Sequence, residues 1–265
     1  MKIYEIIDSE ENLSIGCLLY YEKEHEFVIE LQEYLDEWTA PLLFTSFVKQ
    51  GIYTIPRDIS FLWVKERIIP SGRQNIGSIL SQHKLPQYDE MKFLELSSGK
   101  CSQDSLYIKK MENLPEYALK RTKKNLIDVV PLENKILLCF FANGLVKKVG
   151  LSSINNVDGI NKILNNDQLY FSCIVGTGGY SITFDNSIDI ASHLLYEKGL
   201  ELPLSVDDFI SFAKRGLVDT SEACEILECS RQNLSYMINN DQINCIKKNV
   251  RGNLFLKGEI LLSRQ

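Results

Sequence analysis

Three apolar stretches open the chain, "KIYEII", "SIGCLLYY" and "EFVIEL", each rich in β-branched and aromatic residues and set apart by polar turns. That pattern predicts three strands before Leu31. The period then changes. Leu43, Phe44, Phe47 and Val48 form one stripe of a helix predicted over Thr39–Lys49, with Thr39 as its cap and Gly51 at its exit. Asp58–Ile69 predicts a second helix, stopped by Pro70. Ser71 followed by Gln74 matches a capping box, so a third helix is expected with Ile76, Ile79 and Leu80 inward. Further helices are expected over Tyr88–Leu96 and Ser102–Met111.

From Leu126 the pattern returns to strands. "NKILLCFFANGLVKKVG" reads as a hairpin turning at Asn143-Gly144. "LYFSCIV" and "YSITF" read as a second pair across Gly176-Thr177-Gly178-Gly179. A phosphate loop needs a strand before and a helix after its glycines. Strand-forming runs lie on both sides here, so a hairpin loop is expected. The order of hairpin, aspartate-bearing linker, second hairpin and "SIDIASHLLYEKG" resembles a small bacterial domain of unknown function, over roughly residues 126–199. That family's usual tryptophan is replaced near Ile182. The resemblance implies a compact sheet with a short helix, often fused to helix-turn-helix modules, and no catalytic motif.

The tail reads "VDTSEACEILECSRQNLSYMINNDQINCIKKNVRGNLFLKGEILL". Thr220 is the expected cap of a short helix, with Glu222 in its first turn and Ala223, Ile226 and Leu227 on its apolar face. Ser230 caps a second helix, and Cys229 with Leu234 matches a hydrophobic staple. Leu234, Met237 and Ile238 point inward at 100° per residue. Gln232, Ser235, Tyr236 and Asn239 then face outward, with Arg231 and Asn233 on the flanks. Amide and guanidinium groups of this kind read base edges and hold phosphates. "CIKK" and "NLFL" alternate like a hairpin that carries Lys247, Lys248 and Arg251.

Thr220, Ser221, Ala223, Ile226, Leu227, Ser230, Arg231, Leu234, Ile238, Phe255 and Ile260 carry a resemblance to the winged helix-turn-helix of the MerR and excisionase group. It implies double-stranded DNA binding, with the Ser230–Ile238 helix in the major groove. Glu228 stands where the turns of that group usually have glycine, which places an acid near DNA. The earlier "SGRQNIGSIL" repeats the Arg-Gln-Asn and its apolar spacing. Lys65, however, takes the place of Ala223, Pro70 stiffens the turn, and the acidic "LPQYDEMKFLEL" follows instead of a basic hairpin. The match is expected to be accidental.

Composition adds bounds. The net charge of −6 argues against a surface that coats nucleic acid throughout. From Ser211 onward eight Lys and Arg stand against six acidic residues, so the tail is +2 and the remainder −8. Seven cysteines without a C-x-x-C pair, and three scattered histidines, predict buried thiols in a reducing compartment and no metal or other cofactor. The N-terminus lacks a signal peptide's apolar core, and the longest apolar run, residues 136–142, is too short to span a membrane. The polar residues Arg57, Arg67, Arg73, Gln74, Asn75, Ser102, Gln103 and Asp104, with Cys101 and His83, include no recognisable catalytic set. No enzymatic activity is expected.

The expected fold is therefore α+β in three parts: a mixed N-terminal domain (1–123), a small β-rich domain with a short helix (124–210) and a C-terminal winged helix-turn-helix (211–265). The expected function is cytoplasmic, sequence-specific DNA binding by a homodimer, in transcriptional regulation, through Ser230, Arg231, Gln232, Asn233, Ser235, Tyr236, Asn239, Lys247, Lys248 and Arg251. The alternative is an adaptor or antitoxin-like protein that holds a protein partner through the same module or through the N-terminal or middle domain.

Overall fold

A computed structural model of the chain describes residues 1–154, 157–203, 206–240 and 242–243. The protein is mixed α+β, with antiparallel sheets. Strands β1 (Lys2–Asp8), β2 (Leu13–Tyr21) and β3 (Glu26–Leu31) form a meander in which Leu19 lies opposite both Ile3 and Val28. Helix α1 (Thr45–Lys49), strand β4 (Thr54–Ile55) and helices α2 (Arg57–Lys65), α3 (Ile76–Gln82) and α4 (Glu90–Ser97) follow. Strand β5 (Leu106–Met111) then pairs with β1, giving the order β4-β3-β2-β1-β5. One face of this sheet packs Ile6, Leu18 and Ile29 against Phe44, Trp63, Val64 and Leu94. The other face, with Ile3, Cys17, Leu19 and Val28, is covered by Ala118 of helix α5 (Glu116–Thr122). Burial on both faces explains why β2 reads as a continuous apolar run.

The second part begins with β6 (Leu126–Pro131), β7 (Ile136–Phe141) and β8 (Val146–Gly150), and the hairpin turns at Asn143-Gly144 with Gly144 at φ +86°. Helices α6 (Ile160–Leu164) and α7 (Asp167–Phe171) lead to β9 (Ile174–Val175), β10 (Ser181–Phe184) and β11 (Ile188–Ala191). Helix α8 (Ser192–Lys198) and strand β12 (Leu200–Glu201) follow. The sheets run β12-β8-β7-β6 and β11-β10-β9. Between them lie Leu137, Cys139, Phe141, Val149, Ile182, Phe184, Ile190 and Leu195. The outer face of the larger sheet, Val130, Leu132 and Leu138, receives Phe212 of helix α9 (Val206–Gly216).

Several expected elements differ. Only Thr45–Lys49 is helical in the first expected helix, because Asp36 accepts the Trp38 and Thr39 amides and the Thr39 hydroxyl in a turn, and Pro41 disfavours helix at Ala40. The second ends at Lys65 rather than Ile69. Ser71 makes no cap. Helix α3 begins at Ile76, and Ile76, Ile79 and Leu80 are half-exposed rather than core. Residues 102–105 form bends and 106–111 a strand, where Leu106 and Ile108 alternate inward and the Asp104 carboxylate accepts the Leu106 amide. In "LYFSCIV" only Ile174 and Val175 pair with β10, because Asn166 accepts the Leu169 amide and starts a helix over Asp167–Phe171. Cys17, Cys139 and Cys173 are buried, whereas Cys101, Cys224 and Cys229 are half-exposed.

The glycine-rich loop joins the two parts. Gly178 and Gly179 have φ of +61° and +71°, and a Cβ on either would collide with the Tyr21 hydroxyl or the Leu126 carbonyl oxygen. Asn125 Nδ2 donates to Gly178 O at 2.9 Å. The loop thereby sets Tyr180 among the residues on the second face of the first sheet. Beside it, Glu30 is fully buried, ion-paired with Arg121 and bonded by Thr54 Oγ1 at 2.9 Å. Arg57 clamps the rim through Glu26 at 2.8 Å and Asp189 at 2.6 Å.

Burial pushes the Glu30 carboxyl up to about 7, against the opposing pull of Arg121. A carboxyl raised in the fold takes up a proton on folding between its unfolded value and about 7. Its stabilising contribution is therefore full at low pH and lost as pH rises through that window. Unfolding in urea at pH 5 and pH 7.5 should show the parent gaining on the order of 2 kcal/mol relative to Glu30→Gln at the lower pH. Gly179→Ala should cost on the order of 2 kcal/mol or more in the same assay, from backbone strain and the clash with Leu126.

Candidate nucleic-acid interface

Beyond α9 the chain forms two short helices, α10 (Thr220–Ile226) and α11 (Arg231–Asn239). Asp219, one residue before the expected cap, starts α10. Its carboxylate accepts the Ser221 amide at 2.7 Å and the Glu222 amide at 2.9 Å, and Glu222 returns a bond to the Asp219 amide at 2.7 Å. This reciprocal box satisfies donors that Thr220 would leave open. Helix α10 then ends in a Schellman turn. The Cys229 amide donates to Cys224 O at 3.0 Å and the Glu228 amide to Glu225 O at 3.1 Å, with Glu228 left-handed at φ +51°. That conformation is why glycine suits the position, and glutamate holds it under strain.

Ser230 caps α11 by accepting the Asn233 amide at 3.2 Å. Leu234 is the anchor, 5% exposed, with Met237 and Ile238 half-buried beside it. Ala223 and Cys224 of α10, and Leu227 at its C-terminal cap, are half-buried. Ile226 is 69% exposed, a correction to its expected inward place, since it lies about 100° around the helix from the centre of that stripe. Arg231, Gln232, Asn233, Ser235, Tyr236 and Asn239 are all exposed. Arg231 Nη2 donates to Ser221 Oγ at 3.0 Å, a tie between the two helices that spacing alone did not suggest. Lys247, Lys248 and Arg251 of the expected wing, with Phe255 and Ile260, lie outside the described residues. Helix α9 runs across position 211, so a boundary there cuts a helix held to β6.

The earlier Arg-Gln-Asn sequence sits differently. Ten residues separate α2 from α3, against four between α10 and α11, and α3 has no buried residue. The N-terminal polar residues divide among separate places. Arg67 pairs with Asp104 and stacks on Trp63, Arg57 joins the rim clamp, and Arg73, Gln74 and Asn75 lie exposed before α3. Cys101 Sγ approaches Asp104 at 3.5 Å, and among the described residues no hydrogen bond joins His83 to Cys101 or Ser102.

No group of three His, Cys, Asp or Glu placed to hold a metal occurs among the described residues, and none of their helices is long and apolar enough to cross a membrane. No protein-family model, curated protein or solved structure matches the chain. Asp219→Ala should lower the stability of the helix pair by about 1 kcal/mol, while Thr220→Ala leaves it nearly unchanged. Thermal unfolding followed by circular dichroism distinguishes the two caps.

Proposed function

We propose that the protein binds double-stranded DNA, with α11 entering the major groove. The observation that supports this most directly is the open face of α11. Gln232, Ser235, Tyr236 and Asn239 are exposed while Leu234 is buried and fixes the helix beneath them. Donor–acceptor side chains on a short rod backed by a second helix suit base-edge contacts, and Arg231 and Asn233 at its N-terminal end suit phosphate. On this reading the pair is the helix-turn-helix of a winged module, and Lys247, Lys248 and Arg251 contact the DNA backbone. One such unit covers few base pairs, so a homodimer on a two-fold site follows, in transcriptional control. The chain then acts by binding, without covalent chemistry.

A second reading, an adaptor that holds a protein partner, is favoured by the exposed Ile226, Val218 and Tyr236 on the same module. Fluorescence anisotropy of the full-length chain with mixed duplexes separates the two. DNA binding should weaken steeply between about 50 and 200 mM salt, by about 0.9 log unit per log unit of salt for each phosphate contacted. Gln232→Ala should cost about 1–3 kcal/mol on a selected site. Glu228→Gly should tighten binding by removing an acid from the interface and strain from the turn. Absence of duplex binding at the lower salt contradicts the DNA reading.

A further inference from the structure

The turn between α10 and α11 brings together two thiols that the DNA reading does not use. Cys224 and Cys229 occupy the two positions whose side chains meet in a Schellman turn, three residues inside the helix end and two beyond it. Their backbones are joined by the 3.0 Å bond from the Cys229 amide to Cys224 O. The turn sets the two thiols near enough that Cys229 helps raise the Cys224 thiol above its ordinary value. Both residues are half-exposed, unlike the buried Cys17, Cys139 and Cys173. Cys101 is also half-exposed, but its sulfur faces the Asp104 carboxylate.

We propose that Cys224 and Cys229 form a reversible oxidation site, a dithiol that a hydroperoxide converts to a disulfide across the turn. Exposure admits the oxidant, and the cysteine across the turn supplies the resolving thiol before a second oxidation can occur. The Cys229 sulfur attacks one peroxide oxygen. The O–O bond breaks, and the leaving oxygen takes the thiol proton to depart as water or alcohol. The Cys224 sulfur then attacks the sulfenic sulfur. The S–S bond forms, the S–O bond breaks, and hydroxide leaves with the Cys224 proton as water. Two thiols are oxidised and one hydroperoxide is reduced.

Desolvation and the nearby Cys229 hold the Cys224 thiol above its ordinary value, with Arg231 pulling the other way, which suits Cys224 to the resolving role. A disulfide closes the two sulfurs to about 2 Å. That draws in the turn immediately before Ser230 and Arg231, where α11 begins. An effect on duplex binding rests on the DNA reading above; the disulfide itself does not.

The test treats the full-length protein with limiting hydrogen peroxide, blocks remaining thiols with an alkylating reagent and maps tryptic peptides. Cleavage after Arg215 and Arg231 releases both cysteines, and no other, in the peptide 216–231. The expected result is loss of alkylation at both positions, with the peptide two hydrogens lighter and alkylation restored by dithiothreitol. Cys229→Ser should abolish the change, while Cys101→Ser leaves it intact. Alkylation of both Cys224 and Cys229 after peroxide, or a cross-link from either to Cys245, overturns the proposal. Because mass is the readout, failure of DNA binding leaves this test standing.

Discussion

The close approach of the glycine loop to the first sheet is the constraint on which the arrangement depends. Gly179 meets the Leu126 carbonyl with no room for a side chain, and this contact seats Tyr180 beside Glu30, the partner of Arg121. The cost is a desolvated carboxyl held by the Arg121 guanidinium and the Thr54 hydroxyl, with the Tyr180 phenol beside it. Apolar packing on both sides carries the join. The first sheet is thereby fixed to the second part, whose larger sheet in turn holds α9 through Phe140 and Phe212, with ring centres 4.8 Å apart.

From α9 outward the character of the chain changes. Within α10 and α11, Leu234 is the buried residue among those described, and the polar face of α11 is left to solvent. With one buried side chain among its described residues, this helix pair is poor as a core element and well placed as a presented one. Its internal order comes from short-range bonds: the Asp219–Glu222 box, the Schellman turn, the Ser230 cap and the Arg231–Ser221 tie. Such bonds fix the direction of α11 without needing a large apolar area. Cys224 and Cys229 face each other across the same turn, joined by the Cys229 amide and the Cys224 carbonyl.

Much of this was legible in the sequence where periodicity and local chemistry agree. The opening strands, the Asn143-Gly144 hairpin and the inward Leu234 follow from repeat spacing. The helix expected over residues 102–111 failed because a window mixing apolar and polar residues fits either period, and pairing with β1 decided for the strand. The Ser71 box failed because a capping pair is satisfied only if the following turn is already helical. Asp219 displaced Thr220 because a carboxylate one residue earlier accepts two amides at once. The role of Gly178 and Gly179 was hidden, since the Tyr21 hydroxyl and Leu126 carbonyl that crowd them lie more than fifty residues away in sequence. Of the candidate site, the outward set on α11 was readable from helical geometry. The strain at Glu228 and the approach of Cys224 to Cys229 needed the backbone path of the turn.

The most direct test of the central claim is ultraviolet cross-linking of the full-length protein to a bound duplex, followed by peptide mapping. The account predicts cross-links in the peptide that begins at Gln232 and carries Ser235, Tyr236 and Asn239. Cross-links confined to the first 154 residues, or none under conditions where the duplex is bound, would contradict it.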